Sequence, residues 1–140
     1  MSERIAKRFV LDAHAAFAWL STEPIGARVQ AILSDAEAWM TLVNLGEVTY
    51  IIERRHGETA ADTVFANLLA TTSILGKMPI RWLPVDQALV RRAASLKARG
   101  GLSYADCFAA AAAAELGCPV LTGNPEFRRA EQVGIEVEWL

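Results

Sequence analysis

The amino-acid sequence predicts an α/β protein with a mainly parallel sheet of four to five strands and helices on both faces, in three layers α/β/α. Short, apolar, β-prone segments alternate along the chain with longer helical ones, and parallel strands need such crossover helices. The chain has 140 residues, of which 53% are hydrophobic, enough for one packed core. The sequence contains no repeat, linker or low-complexity stretch. We therefore expect residues 1–140 to form a single domain.

The first 40 residues contain two predicted strands with two helices between them. Arg8–Leu11 is short, apolar and β-prone, and Asp12, which follows it, is a residue type that favours the start of a helix. The alanine-rich segment after Asp12 carries large apolar side chains and is predicted to be that helix. Pro24–Leu33 is predicted to be the second helix, because proline is favoured in a first turn. Ala38–Met40 is then expected to form the second strand.

Two helices, a strand and a further helix are predicted between residues 42 and 99. Leu42–Arg55 has helical signals that end at a glycine, and Thr59–Thr71 is expected to be the next helix. Ile80–Leu83 is apolar, is followed by a proline and is predicted to be the third strand. Asp86 is placed to cap a helix that runs to Arg99, where two glycines end it.

The last 40 residues contain the clearest helix signal of the chain. Tyr104–Leu116 includes six consecutive alanines, which combine high helix propensity with close packing on a sheet. A proline then introduces a strand at Val120–Thr122, and a short helical turn is expected after Pro125. Ile135–Trp139 alternates between apolar and polar residues, which predicts a final strand at the edge of the sheet.

The overall charge is modest, with a net charge of −2 at pH 7. This balance lacks the strongly basic character that usually accompanies nucleic-acid binding. It does not exclude such binding, because carboxylates that bind cations lose part of their effective negative charge. Cys107 and Cys118 match no metal-site spacing and are interpreted as buried free thiols in a reducing compartment.

The location expected from the sequence is the cytoplasm. The segment Met1–Arg8 is charged and lacks the apolar core of a signal peptide. The most apolar later stretch, Tyr104 to Leu121, is interrupted by charged residues, a glycine and a proline, and no membrane span is expected.

Three acidic residues follow strand or helix-start signals at separate places in the chain: Asp12, Glu47 and Asp106. Because the carboxyl ends of parallel strands meet at one edge of the sheet, we expect these carboxylates to converge. Each pair then repels by about 4 kcal/mol at ~4 Å and an effective dielectric constant of ~20. A hard divalent cation removes that cost, so the sequence predicts a Mg²⁺ or Mn²⁺ site.

Each of these acids also has a simple local explanation. Asp12 fits a helix N-cap, and both Asn44-x-x-Glu47 and Ser103-x-x-Asp106 resemble capping boxes. Taken singly, capping is the better interpretation of each acid. Their coincidence in strongly apolar surroundings, where an unpaired charge is costly, favours a shared site.

The ordered set of motifs resembles a known family. Leu11-Asp12 before an apolar helix, Asn44-x-x-Glu47, Leu102-Ser103-x-x-Asp106 before an alanine-rich helix, and the segment from Val120 to Phe127 occur in the order and at the spacings seen in PIN-domain ribonucleases, specifically VapC-type toxins. The resemblance implies a Rossmann-like PIN fold, catalytic acids that bind Mg²⁺ or Mn²⁺, and endonucleolytic cleavage of RNA. It also implies a VapB-type antitoxin as partner and a homodimer.

The resemblance assigns residues to roles and also reveals one departure. Asp12, Glu47 and Asp106 match the three principal acids of the family, as metal ligands and catalytic residues. Asn124 stands where a fourth aspartate is usual, and an amide supplies an oxygen ligand but no charge. Glu126 is a candidate to replace that charge. The supporting residues are expected to be Thr122 and Ser103, and the RNA-binding residues Arg128 and Arg129.

Two further functions are compatible with the sequence. A PIN module that lost activity with the fourth acid could act as a binding or regulatory protein. A Mg²⁺-dependent phosphotransfer or phosphatase domain is the other, although such domains usually pair a nucleophilic aspartate with a lysine. Lys77 is the nearest loop candidate for that lysine. His14 and the basic cluster around His56 are interpreted as ordinary structural residues, the latter supporting a helix C-terminus.

Overall fold

A computed structural model describes residues 7–70 and 79–140, which form a five-stranded sheet in the order β3-β2-β1-β4-β5. Every pair of neighbouring strands is parallel. The strands are β1 (Lys7–Leu11), β2 (Ala36–Thr41), β3 (Ile80–Leu83), β4 (Val120–Thr122) and β5 (Val137–Trp139). The chain builds outward from β1 through β2 to β3 and then crosses to β4 on the other side. The carboxyl ends of β1 and β4 therefore mark the switch point of the sheet, where ligands bind in open α/β folds.

Helices connect the strands. The described part of the chain contains α1 (Ala13–Leu20), α2 (Pro24–Leu33), α3 (Leu42–His56), α4 (Glu58–Leu69), α5 (Gln87–Arg99), α6 (Tyr104–Leu116), a 3₁₀ turn (Pro125–Phe127) and α7 (Arg128–Gln132). Within this part, no helix has both the length and the apolar character needed to cross a membrane.

The helices cover both faces of the sheet and create two hydrophobic cores. One core contains side chains of α5 and α6, and the other contains side chains of α1 to α4. The central strand supplies both, because its side chains alternate: Val10 enters the first core, whereas Phe9 and Leu11 enter the second. The predicted three-layer α/β/α fold with a parallel sheet is therefore confirmed.

Several boundaries differ from the prediction for physical reasons. β2 is longer than Ala38–Met40 because it pairs along both edges, from Ala36 beside β1 to Thr41 beside β3. β5 starts at Val137, because the N–H of Ile135 donates to the carbonyl of Ala130 at the end of α7. Helix α4 ends at Leu69.

Two predicted details fall outside the described residues. Thr71, where the fourth helix was expected to end, and Lys77, the lysine considered for phosphotransfer, both belong to the segment 71–78.

Candidate active site

A cavity of about 500 Å³ opens at the carboxyl edge of the sheet. The three predicted acids, which belong to the end of β1, to α3 and to α6, all line it. The remaining lining residues are Ala13, His14, Phe17, Ala18, Ile25, Ile51, Arg55 and Asn124. The parallel topology thus brings together acids separated by up to 94 positions in the sequence, from Asp12 to Asp106, as expected for strand ends that share one edge.

Asp12 is buried at the floor of this cavity, with 1% of its surface exposed. Its Oδ1 accepts a hydrogen bond of 2.8 Å from the N–H of Ala15, and its Oδ2 accepts one from the hydroxyl of Thr122. The capping role predicted for Asp12 is therefore confirmed, and it coexists with a place in the cavity. Burial raises the pKa of Asp12 to about 6, although both hydrogen bonds act to lower it.

Glu47 and Asp106 complete the acidic part of the cavity. Burial raises the pKa of Glu47, and repulsion from Asp106 and then from Asp12 raises it further. Burial also raises the pKa of Asp106, against the hydrogen bond from Ser103, with a further increase from Glu126. Each acid therefore holds its negative charge at a cost that burial and neighbouring carboxylates impose.

Thr122 and Asn124 connect β4 to two of the acids. Thr122 is fully buried, donates its hydroxyl to Asp12 and accepts a 3.0 Å hydrogen bond from the N–H of Asn124. The side-chain NH₂ of Asn124 lies 3.4 Å from Oδ2 of Asp106, and its oxygen accepts from the N–H of Glu126 at 3.1 Å. Because a backbone N–H fixes the oxygen, Asn124 presents a donor toward the acid.

The helix starts only partly match the predicted capping boxes. Ser103 caps α6 by accepting from the N–H of Asp106 at 3.2 Å, as predicted. Asn44, however, does not start a capping box. Thr41 caps α3 instead, because β2 leads into the helix without a loop. Asn44 is fully buried and donates to the carbonyl of Ala105 at 3.0 Å, which joins the first turns of α3 and α6.

The predicted arginines, Arg128 and Arg129, are not among the residues that line the cavity. The guanidinium of Arg128 sits 5.9 Å from the centre of the Trp139 ring. Arg129 packs against Gly101, where a Cβ atom would come within 2.0 Å of the arginine Cδ. Glu126 is exposed and acts on Asp106 through its charge, without lining the cavity.

Two cavity residues were missed or misread from the sequence. His14 was expected to be an ordinary, partly buried residue, but it is exposed, and its Nδ1 accepts from the N–H of Gly123 at 3.2 Å. Arg55 was assigned only to the support of the C-terminus of α3. A signal for it existed: Glu47, Ile51 and Arg55 recur every four residues, the spacing of one helix face.

The oxygen atoms that line the cavity are of the type that binds a hard divalent cation. Carboxylate oxygens are the ligands that Mg²⁺ and Mn²⁺ prefer, and the described residues place no cationic side chain within 4.0 Å of these carboxylates. Across residues 7–70 and 79–140, however, no three acidic, histidine or cysteine side chains are close enough to hold one ion together. An ion therefore requires side-chain movement or water ligands, which Mg²⁺ normally keeps.

These features define an α/β protein with an acidic cavity at the switch point of a parallel sheet. The family model described as PIN domain matches residues 9–133, so the chain belongs to the PIN domain family. No match was found among curated protein sequences.

Solved structures of toxin–antitoxin proteins share this fold. DNA-bound VapBC from Salmonella typhimurium has a TM-score of 0.71 at 19% identity, with 96% of this chain and 98% of that chain covered. VapBC2 from Rickettsia felis, bound to a promoter DNA fragment, has a TM-score of 0.69 at 11% identity, with 94% and 97% covered. VapC20 from Mycobacterium tuberculosis, a sarcin–ricin loop cleaving toxin, has a TM-score of 0.66 at 15% identity, with 94% and 99% covered. The resemblance to VapC-type PIN proteins is thereby confirmed at the level of the fold.

Proposed function

We propose that this protein is a metal-dependent endoribonuclease that acts as the toxin of a toxin–antitoxin pair. The observation that carries the proposal is the convergence of Asp12, Glu47 and Asp106 on one cavity at the switch point of a PIN fold. Asp12 and Asp106 are buried and Glu47 is half-buried, with raised pKa values and no cationic partner among the described residues. Such carboxylates lower the stability of the folded protein, and they occur preferentially at functional sites.

The chain's own residues have distinct proposed roles. Asp12 and Asp106 hold a Mg²⁺ or Mn²⁺ ion, and Glu47 either completes the ligand set or orients the attacking water. When bound, the ion supplies neutralising charge and polarises a phosphate oxygen. Thr122 keeps Asp12 in position by hydrogen bonding, and Ser103 fixes the helix start that carries Asp106. Asn124 is a candidate oxygen ligand only if its amide turns, because its NH₂ now faces Asp106.

The proposed partners follow from charge and from the fold. RNA is the proposed substrate, with Arg128 and Arg129 on the surface as candidate phosphate contacts. A VapB-type antitoxin is the proposed inhibitor, because an anionic cavity accepts a basic side chain from a partner. The similar structures from Salmonella typhimurium and Rickettsia felis are VapBC structures, which supports such a pairing. A homodimer is proposed from the family resemblance.

The test is cleavage of structured RNAs by purified protein with Mg²⁺, with Mn²⁺ or with EDTA. We expect cleavage with either metal and none with EDTA. Asp12→Asn and Asp106→Asn should abolish it while the proteins remain folded. Asp86→Asn is the matched control, because Asp86 caps α5 in the same way that Asp12 caps α1 but lies outside the cavity. Metal-independent cleavage, or full activity in the Asp12 variant, would contradict the proposal.

The alternative is a catalytically weakened PIN module with a binding or regulatory role. The observation in its favour is Asn124, which gives Asp106 a hydrogen bond where an aspartate would add a charge. The same assay separates the two functions. A folded wild-type protein that binds RNA or its antitoxin, but cuts no RNA with any metal, would establish the alternative.

A further inference from the structure

We propose that Arg55 binds a backbone phosphate of the RNA substrate next to the one that lies over the three acids. The inference deepens the proposed ribonuclease function and rests on it. It assigns substrate binding to a residue that lines the cavity, in addition to the proposed surface contacts Arg128 and Arg129, which do not line it.

The geometry follows from the pitch of α3. Glu47, Ile51 and Arg55 lie one helical turn apart and all line the cavity. At about 1.5 Å per residue, the eight residues from Glu47 to Arg55 span roughly 12 Å along the helix axis. The cavity therefore extends from a group of carboxylates to a permanently charged cation, with an apolar residue between them. A polyanionic chain that enters this cavity meets both.

Arg55 forms no ion pair among the described residues. The ion pairs found there join Arg8 and Arg81 to Glu37. The guanidinium of Arg55 is exposed and lies more than 4.0 Å from every described carboxylate oxygen, although it shares a cavity with three acids. A free guanidinium suits phosphate, which it binds through two parallel hydrogen bonds.

The negative charge of the cavity is a second reason to expect that a cationic side chain contacts the RNA. Three carboxylates repel an approaching phosphate, and the whole chain has a net charge of −2. A divalent cation offsets the acids at the scissile phosphate but does not hold the next one. A fixed positive charge farther along the cavity attracts the neighbouring phosphate and aligns the strand.

The simpler explanation of Arg55 is support of the α3 C-terminus. The last turn of α3 contains Arg54, Arg55 and His56. Basic side chains at this position interact favourably with the negative end of the helix dipole. That explanation applies equally to Arg54, which is also exposed but lies over the ring of Tyr50, with 5.2 Å to its centre, and does not line the cavity. Arg54 is therefore a matched control with the same charge, on the same turn.

The experiment compares Arg55→Gln with Arg54→Gln in steady-state cleavage of several RNA oligonucleotides with Mg²⁺. We expect Arg55→Gln to raise KM roughly tenfold, the loss of one charged hydrogen-bond contact, for every sequence tested. The slope of log affinity against log salt should fall by about 1. Arg54→Gln should leave both KM and the salt slope unchanged. Arg55→Lys, which keeps the charge and loses the paired hydrogen bonds, should be intermediate in KM.

The outcomes separate this inference from the proposed function. If the wild type cleaves RNA and the two glutamine variants have the same KM and salt slope, the role of Arg55 is wrong and the ribonuclease proposal stands. If Arg55→Gln weakens only antitoxin binding, Arg55 contacts protein and the inference is also wrong. If the wild type cleaves no RNA, both proposals fail. Should Arg55→Gln not fold, an Arg55→Lys variant with wild-type KM would overturn the inference.

Discussion

At the scale of single residues, Asp12 combines a structural and a chemical role. Its Oδ1 caps α1, its Oδ2 accepts from Thr122, and the same carboxylate lines the acidic cavity. An N-cap alone needs no burial, since Asp86 caps α5 while exposed. The burial of Asp12 therefore distinguishes it from a residue that only starts a helix.

The burial of Asp12 predicts a pH-dependent stability of the metal-free protein. The pKa of Asp12 is about 6 in the folded protein, whereas its ordinary value, taken for the unfolded chain, is 3.8. The folded state therefore binds the proton more tightly than the unfolded state. The contribution of Asp12 to stability is then fully present below about pH 4 and is lost as the pH rises through about 6. The loss is about 3 kcal/mol by order of magnitude, because one pKa unit corresponds to about 1.4 kcal/mol.

The measurement is the free energy of unfolding from pH 4 to pH 7.5 in EDTA, for the wild type and Asp12→Asn. Asparagine is a good N-cap but does not titrate, so titrating groups that do not interact with Asp12 cancel in the difference. We expect the variant to gain stability relative to the wild type as the pH rises. A difference that stays constant with pH would show that Asp12 has an ordinary pKa.

Asn124 gives a second prediction at this scale. Asn124→Asp places a carboxylate beside Asp106, where the amide now donates a hydrogen bond of 3.4 Å. We expect the metal-free protein to lose about 1–3 kcal/mol of stability, and divalent cations to bind more tightly. Calorimetric titration and melting curves with and without Mg²⁺ measure both effects. Asn124→Ala is the control, since it removes the donor and adds no charge. Equal metal affinity in all three proteins would place residue 124 outside the metal site.

At the scale of elements, the positions of Glu47 and Asp106 depend on how α3 and α6 are joined. Asn44 makes that connection: its Oδ1 accepts from Thr41 at 2.6 Å and its NH₂ donates to the carbonyl of Ala105 at 3.0 Å. The buried amide thus fixes the first turn of α3 against the first turn of α6. Both acids project from these two helices into the cavity.

We predict that Asn44→Ala lowers the free energy of unfolding by about 1–3 kcal/mol, because it leaves the buried hydroxyl of Thr41 without its acceptor and removes the hydrogen bond to the Ala105 carbonyl. RNA cleavage should fall as well, since Glu47 and Asp106 lose their mutual alignment. Asn67→Ala is the control, because Asn67 is exposed on α4 and gives the same gain in helix propensity. Chemical denaturation provides the measurement, and equal stability of the two variants would remove Asn44 from this role.

At the scale of the whole molecule, the three acids of the cavity lower stability, because burial and repulsion between carboxylates disfavour their charged forms. The three acids come from elements that meet only in the folded chain, so an ion that bound in their cavity would stabilise the folded state alone. The same argument applies to any basic segment of an antitoxin that enters the cavity.

We predict that Mg²⁺ stabilises the wild-type protein by about 1.4 kcal/mol at a concentration ten times its Kd. That value should raise Tm by a few degrees for a chain of this size. The control is Asp106→Asn, in which the shift should be much smaller, while Asp86→Asn should behave like the wild type. Thermal melts across a Mg²⁺ titration measure the effect. A shift of the same size in the Asp106 variant would mean that the ion binds elsewhere.

The sequence by itself determined the alternation of strands and helices, because apolar periodicity, caps and helix stops are local signals. The bounds of α2 and α6 match the prediction. The same local signals, strand ends and helix starts, identified the three acids Asp12, Glu47 and Asp106. The order of the elements also carried the family resemblance. All of these features depend on neighbours within a few positions in the chain.

Tertiary structure alone decided which side chains lie near the acids and how those side chains are oriented. The NH₂ of Asn124 points to Asp106 because the N–H of Glu126 holds its oxygen. Thr41, and not Asn44, caps α3 because β2 is held by pairing on both edges up to that residue. Arg55 enters the cavity, whereas Arg128 and Arg129 pack elsewhere. In each case the group that is faced belongs to another segment of the chain, and it reaches that position only once the sheet has placed the helices.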